Sequence, residues 1–174
     1  MRRRVLDTNV LIVASGGDPR ALGTLASHLE TSDQKVVFAW LNGFISDRSA
    51  QVILDPQVLN EYRNKLSEQD YGLHAIRTML DQGKVEYCKL KYDRNGSATL
   101  PKDLQAIVRD CSDRKFVALA LLFSDAMITN ACDTDWIEWE GGLLAKGIKL
   151  DQLLREWCEA RCREKAKRKR KSRS

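Results

Sequence analysis

The chain has 174 residues, 43% of them hydrophobic, with 10 glycines and 3 prolines, which suits one domain with a substantial core and leaves too little for two. No apolar run is long enough to cross a bilayer, and the opening MRRRVLD leads to a charged strand end rather than a secretory segment, so a soluble, cytoplasmic protein without a membrane partner is expected. The formal charge of +5 is unevenly divided: residues 161–174 carry +8 and residues 1–160 carry −3, so a mildly acidic domain (1–160) trails a basic tail (161–174) expected to be flexible and able to reach phosphates.

A first strand is expected at about 3–6, closed by Asp7. Leu22, Leu25 and Leu29, then Val36, Val37, Trp40 and Leu41, fall at helical spacing, with a break near Glu30–Gln34, so two helices are expected to follow that strand. QVILD (51–55) reads as a second strand, and Pro56 suits the first turn of a helix over PQVLNEYRNKL. Leu73, Ile76 and Leu80 predict a further helix stopping at Gly83, followed by a third strand in KVEYCKL. Residues 91–105 are polar, carry a turn signal at Asn95-Gly96 and read as a loop. DRKFVALALLF is an apolar helix, DAMITNA a fourth strand, and GIKL a fifth before a closing helix from Asp151. This order of strands and helices predicts an α/β sandwich with a mostly parallel sheet of four or five strands, a fold that binds ligands beyond the carboxyl ends of its strands.

Five cysteines, an odd number with no CxxC pair, and only two histidines support neither a disulfide framework nor a zinc site. The acids are more informative. Asp7 ends the first strand, Glu61 lies on the helix after the second, Asp113 opens the apolar helix, and Asp133 and Asp135 follow the fourth strand. Each has an ordinary explanation: Asp7 or Asn9 as a helix cap, Asp113 as a cap, Asp133 as a turn residue, Glu61 paired with Lys65. Together they would converge at one edge of the sheet, where hard divalent ions such as Mg²⁺ or Mn²⁺ relieve carboxylate repulsion and suit phosphoryl chemistry.

VLDTNVLI resembles the opening of PIN-domain ribonucleases, Glu61 in DPQVLNEYRNKL their helical glutamate, and Asp113 in DRKFVALALL the aspartate before an alanine-containing helix. MITNACDTDW resembles their strand followed by a further aspartate, although Ala131 and Cys132 intervene here, leaving Asp133, preferred, or Asp135 as the fourth acid. The resemblance spans roughly residues 3–155 in order. It implies a three-layer PIN-like fold and metal-dependent RNA hydrolysis leaving a 5′-phosphate, with Asp7, Glu61, Asp113 and Asp133 catalytic. Asp7, Asp113, Asp133 and Asp135 are then the metal ligands, and Thr8, Asn9 and Thr129 support the acids. Arg114 and Lys115 are candidates for gripping the RNA backbone, as are Lys167, Arg168, Lys169 and Arg170 in the tail, while Trp136 and Trp139 are candidates for stacking an unpaired base or for packing. Size and motif style resemble the toxin members of prokaryotic type II toxin–antitoxin pairs, which implies a cognate antitoxin protein and a homodimer as partners. The rival reading is a PIN-like module that binds RNA or protein without cleaving. A phosphatase with an aspartyl nucleophile fits poorly, because Asn9 stands where its second aspartate belongs.

Overall fold

The computed structural model describes residues 2–21 and 25–171, with the side chains of 169–171 excepted. Its centre is a five-stranded sheet, all parallel, in the spatial order β3-β2-β1-β4-β5: β1 is Arg2–Leu6, β2 Ala50–Leu54, β3 Val85–Tyr87, β4 Met127–Asn130 and β5 Lys149–Gln152. Helices α1 (Thr8–Gly17), α2 (Thr31–Ser46), α3 (Pro56–Lys65) and α4 (Tyr71–Asp81) connect the first three strands. Helices α5 (Lys102–Ile107), α6 (Arg114–Leu121), α7 (Asp135–Ala145) and α8 (Arg155–Lys171) belong to the second half. Helices on both faces make a three-layer α/β/α sandwich, as parallel strands require to bury both sides. No helix among the described residues is long and apolar enough to cross a membrane.

The central strand is β1, with Val5 and Leu6 fully buried, and the chain builds outward to β3 before returning to place β4 on the other side of β1. That reversal opens a crevice at the carboxyl ends of β1 and β4. Leu6 lies opposite Thr129 in the register, so Asp7 and the residues after Asn130 emerge beside each other.

Several expectations change, among them the start of the closing helix, which is Arg155 rather than Asp151 because Asp151 and Gln152 extend β5. The first helix begins at Thr8, directly after β1; residues 25–28 form a turn rather than a helix, and Leu22 lies outside the described residues. The segment 91–105 is partly ordered by an antiparallel bridge between Tyr92 and Ala98 and by the start of α5. Helix α7 fills the stretch between the fourth and fifth strands. The basic segment from Arg161 continues α8 as far as Lys171, because Ala, Lys and Arg are strong helix formers and no Gly or Pro interrupts them.

The expected stops hold where backbone geometry demands them. Gly83, past the end of α4, has φ +66°, and Gly96 in the Asn95-Gly96 turn has φ +78°. Gly72 serves a different purpose. A Cβ there would lie 2.6 Å from the Leu11 carbonyl oxygen and 2.7 Å from its Cβ, so the missing side chain lets α4 close on α1. The Ser15 hydroxyl secures the contact by accepting from Gly72 N–H at 2.8 Å.

Candidate metal centre

Two strands end in an acid followed by a helix, and their contrasting fates locate the site. Asp55, after β2, is fully engaged: it accepts from Gln57 N–H at 2.7 Å, Leu90 N–H at 3.1 Å and the Tyr92 hydroxyl at 2.5 Å, so it caps α3 and ties down the polar segment behind it. Asp7, after β1, caps α1 through Asn9 N–H at 3.1 Å and accepts from the Trp136 indole N–H at 2.6 Å. Those two donors leave acceptor capacity on both of its oxygens. What faces it is not another donor but two more acids.

Carboxylate oxygens of Asp7, Asp113 and Asp133 lie within 4.8 Å of one another. Asp113 precedes α6, yet its side chain makes no capping bond, which overturns the ordinary explanation for it. Asp133 has the Asp135 N–H on one oxygen at 2.9 Å. Burial pushes the Asp7 carboxyl up to about 7, with the Asp133 and Glu61 charges adding and the Asn9 and Trp136 bonds opposing. Burial, then the charges of Asp7, Asp110 and Asp133, lifts Asp113 to about 8 against the pull of Lys115. Asp133 is also raised, first by burial. Three acids so placed favour retained protons or a cation.

The donor set fits a hard divalent ion. All three groups are carboxylates, none is saturated by hydrogen bonds, and there is no histidine or thiolate among them, an all-oxygen set of the kind that hard divalent cations prefer. Two of the predicted acids stand apart from the triad. Asp135, expected as a ligand, opens α7 and contributes its backbone N–H to Asp133 instead. Glu61 receives the Thr8 hydroxyl, as expected for Thr8, and forms an ion pair with Lys115 Nζ at 2.6 Å.

That pair corrects the role expected of Lys115. It is buried, its ammonium also donates to the Ser112 carbonyl, and it is committed to Glu61 rather than open to a phosphate. Arg114 is half-buried and donates through Nε to the Val108 carbonyl at 3.2 Å. Thr129 is displaced as well. Its hydroxyl accepts from Arg4 at 3.2 Å, beside the Arg4–Asp151 ion pair, while its carbonyl accepts Asp7 N–H at 3.0 Å, so only its backbone serves the acids. Trp136 and Trp139 are buried and packed edge to face at 5.4 Å, which removes both as stacking platforms. In α8, Lys167 and Arg168 are exposed; the side chains of Lys169 and Arg170 lie outside the described residues.

Asn9 keeps its supporting role and shares it with Asn130, which sequence reading missed. The Asn9 amide donates to Asn130 Oδ1 at 2.8 Å, and its own oxygen accepts Ala131 N–H at 2.8 Å. Asn130 then accepts Asp133 N–H at 3.0 Å and donates to the Asp133 carbonyl at 2.8 Å and to Gln152 Oε1 at 2.6 Å. This buried network bends the chain after β4 so that the intervening Ala131 and Cys132 still deliver Asp133 to Asp7. Tyr62, fully buried beside Glu61, completes the frame by donating its hydroxyl to the Leu6 carbonyl at 2.5 Å, which fixes α3 against the end of β1. No family model matches the chain, and no curated protein matches its sequence.

Proposed function

We propose that this protein is a metal-dependent ribonuclease that hydrolyses RNA phosphodiester bonds at Asp7, Asp113 and Asp133. The observation that carries the reading is the convergence of three under-bonded, partly buried carboxylates at the crevice between β1 and β4. The series VLDTNVLI, Glu61, Asp113 and MITNACDTDW, which resembles PIN-domain ribonucleases, supports RNA as the substrate. Mg²⁺ or Mn²⁺, when bound, supplies an activated water and withdraws charge from the phosphoryl oxygens.

The chain's own residues divide the remaining work. Asp7, Asp113 and Asp133 provide the oxygens that hold the ion, and their raised proton affinity makes loading favour the alkaline side of neutrality. Glu61, held by Thr8 and Lys115, is the acceptor that orients the attacking water, and Lys115 acts by positioning it. Asn9 and Asn130 hold Asp133 in place, while Trp136 steadies the charged form of Asp7. The exposed cations of α8 supply the attraction for phosphate that an acidic site lacks.

The test is cleavage of a mixed RNA pool by the purified chain with Mn²⁺ or Mg²⁺ and with chelator, beside Asp7→Asn and Asp113→Asn. The reading predicts products with 5′-phosphate ends, lost with chelator and reduced by about 100-fold or more in either variant. Equal inertness of all three proteins, with RNA still bound, would replace it with a non-catalytic binding module.

A further inference from the structure

A cleft of about 370 Å³ is lined by His28 of the turn at 25–28, by residues 132–134 after β4 and by α8. One wall is Cys132, Asp133 and Thr134, so the cleft shares Asp133 with the triad, and Glu164 of α8 is its second acid. Its other wall carries two aromatic rings, His28 and Trp157, with Arg161, Lys165 and Arg168 around them. The volume lies near the lower end of the range for small-ligand pockets, about 300 to 1,000 Å³.

The polar groups there are arranged to receive an anion. Lys165 Nζ donates to the Thr134 hydroxyl at 2.5 Å and makes no ion pair among the described residues, although its charge also acts on Asp133 across the cleft. Arg168 is exposed and has no acidic partner among the described residues. Arg161 is bound to Glu164 at 2.9 Å, and its guanidinium carbon lies 5.3 Å from the centre of the Trp157 ring. The rings of His28 and Trp157 are 5.8 Å apart and tilted by 59° rather than stacked face to face. An aromatic wall beside three cations, of which Arg168 has no acidic partner among the described residues, next to Asp133 of the triad, matches a base and its phosphate.

Resting on the ribonuclease reading, we propose that this cleft binds one unpaired nucleotide of single-stranded RNA next to the cleaved bond, with its base against Trp157 and His28 and its phosphate toward Lys165 and Arg168. A paired base has no free face to offer, so the cleft selects single strands.

The experiment measures binding of a labelled single-stranded oligoribonucleotide to the full chain in chelator, so that no cleavage enters. Trp157→Ala and Arg168→Glu should each weaken binding about tenfold, His28→Ala by about threefold, while Trp157→Phe retains most of it. The matching duplex, and a strand with abasic sugars, should bind about tenfold more weakly than the intact strand. His28 and Arg168 are exposed, so their variants keep the test valid if Trp157→Ala fails to fold. Unchanged affinity in both of those variants would overturn the proposal, as would equal binding of single strand and duplex. Failure of metal-dependent cleavage with these binding differences intact would count against the nuclease alone.

Discussion

Replacing Asp113 by Asn should stabilise the metal-free protein at alkaline pH while abolishing its response to metal. Asp113 makes no capping bond, and Asn caps a helix as well as Asp does, so the exchange removes a charge at little local cost. Its carboxyl is raised from 3.8 to about 8, so between those values the folded state keeps a proton that the unfolded state has released. Stability from this group is therefore fully present below about pH 4, falls as the pH rises and reaches its minimum above about pH 8. Four pH units at about 1.4 kcal/mol each set an upper limit of about 5 to 6 kcal/mol. Partial exposure of Asp113 and repulsion shared with Asp7 reduce the realised cost to about 2 kcal/mol, equivalent to about 4 to 8 °C in Tm for a chain of this size. Melting of wild type and Asp113→Asn in chelator should show that gain near pH 8 and little near pH 4. With Mn²⁺ the wild type should rise and the variant should not. A variant less stable than wild type by the same amount at both pH values, in chelator, would show that Asp113 stabilises the fold instead of straining it.

Trp136→Phe removes one buried donor from Asp7 and should cost about 1.5 to 3 kcal/mol near pH 8, falling below pH 7 as Asp7 takes up its proton; a loss independent of pH would mean that only packing was disturbed. A double-mutant cycle between Lys115→Met and Glu61→Gln should give a coupling of about 1 to 2 kcal/mol that survives added salt, whereas zero coupling in urea melts would end the assignment of Lys115 as the group positioning Glu61. Gly72→Ala should destabilise by about 2 kcal/mol or more through its clash with Leu11, while Gly43→Ala, which meets nothing within 4 Å in α2, should be neutral or gain up to about 1 kcal/mol; similar urea midpoints for the two would refute the close approach of α1 and α4.

Asp7 and Asp133 could be read from the sequence because each sits between a strand and a helix, where topology fixes position regardless of detail, and Asp113 because it directly precedes the apolar helix α6. The physical reason that Asp7 and not Asp55 faces the site is not in the strand ends, since VLDTN and ILDPQ differ little; only the return of Tyr92 and Leu90 to Asp55 satisfies the second acid. Helix α1 escaped because Val10 to Ala14 is a continuous apolar run with no polar face, the mark of a helix buried nearly all round. Helix α7 was hidden by the pair Gly141-Gly142, of which Gly142 packs closely against Ile107. Pattern alone does not say which side of β4 faces the crevice, so it does not separate Thr129 from Asn130; strand alternation sends the two to opposite sides, and Arg4 takes Thr129. Lys115 stands two residues past Asp113 in sequence, which suggests a place beside that acid, but the turn of α6 carries it to Glu61.

Manganese binding followed by the spin resonance of the free ion tests the central claim most directly, since it asks about the triad without requiring an RNA. The account predicts saturable binding to the wild type that tightens as the pH rises through about 7 to 8, and at least about tenfold weaker binding in Asp7→Asn, Asp113→Asn and Asp133→Asn, with Asp135→Asn near wild type. Binding of equal strength in wild type and all three triad variants, or none in any of them, would contradict it.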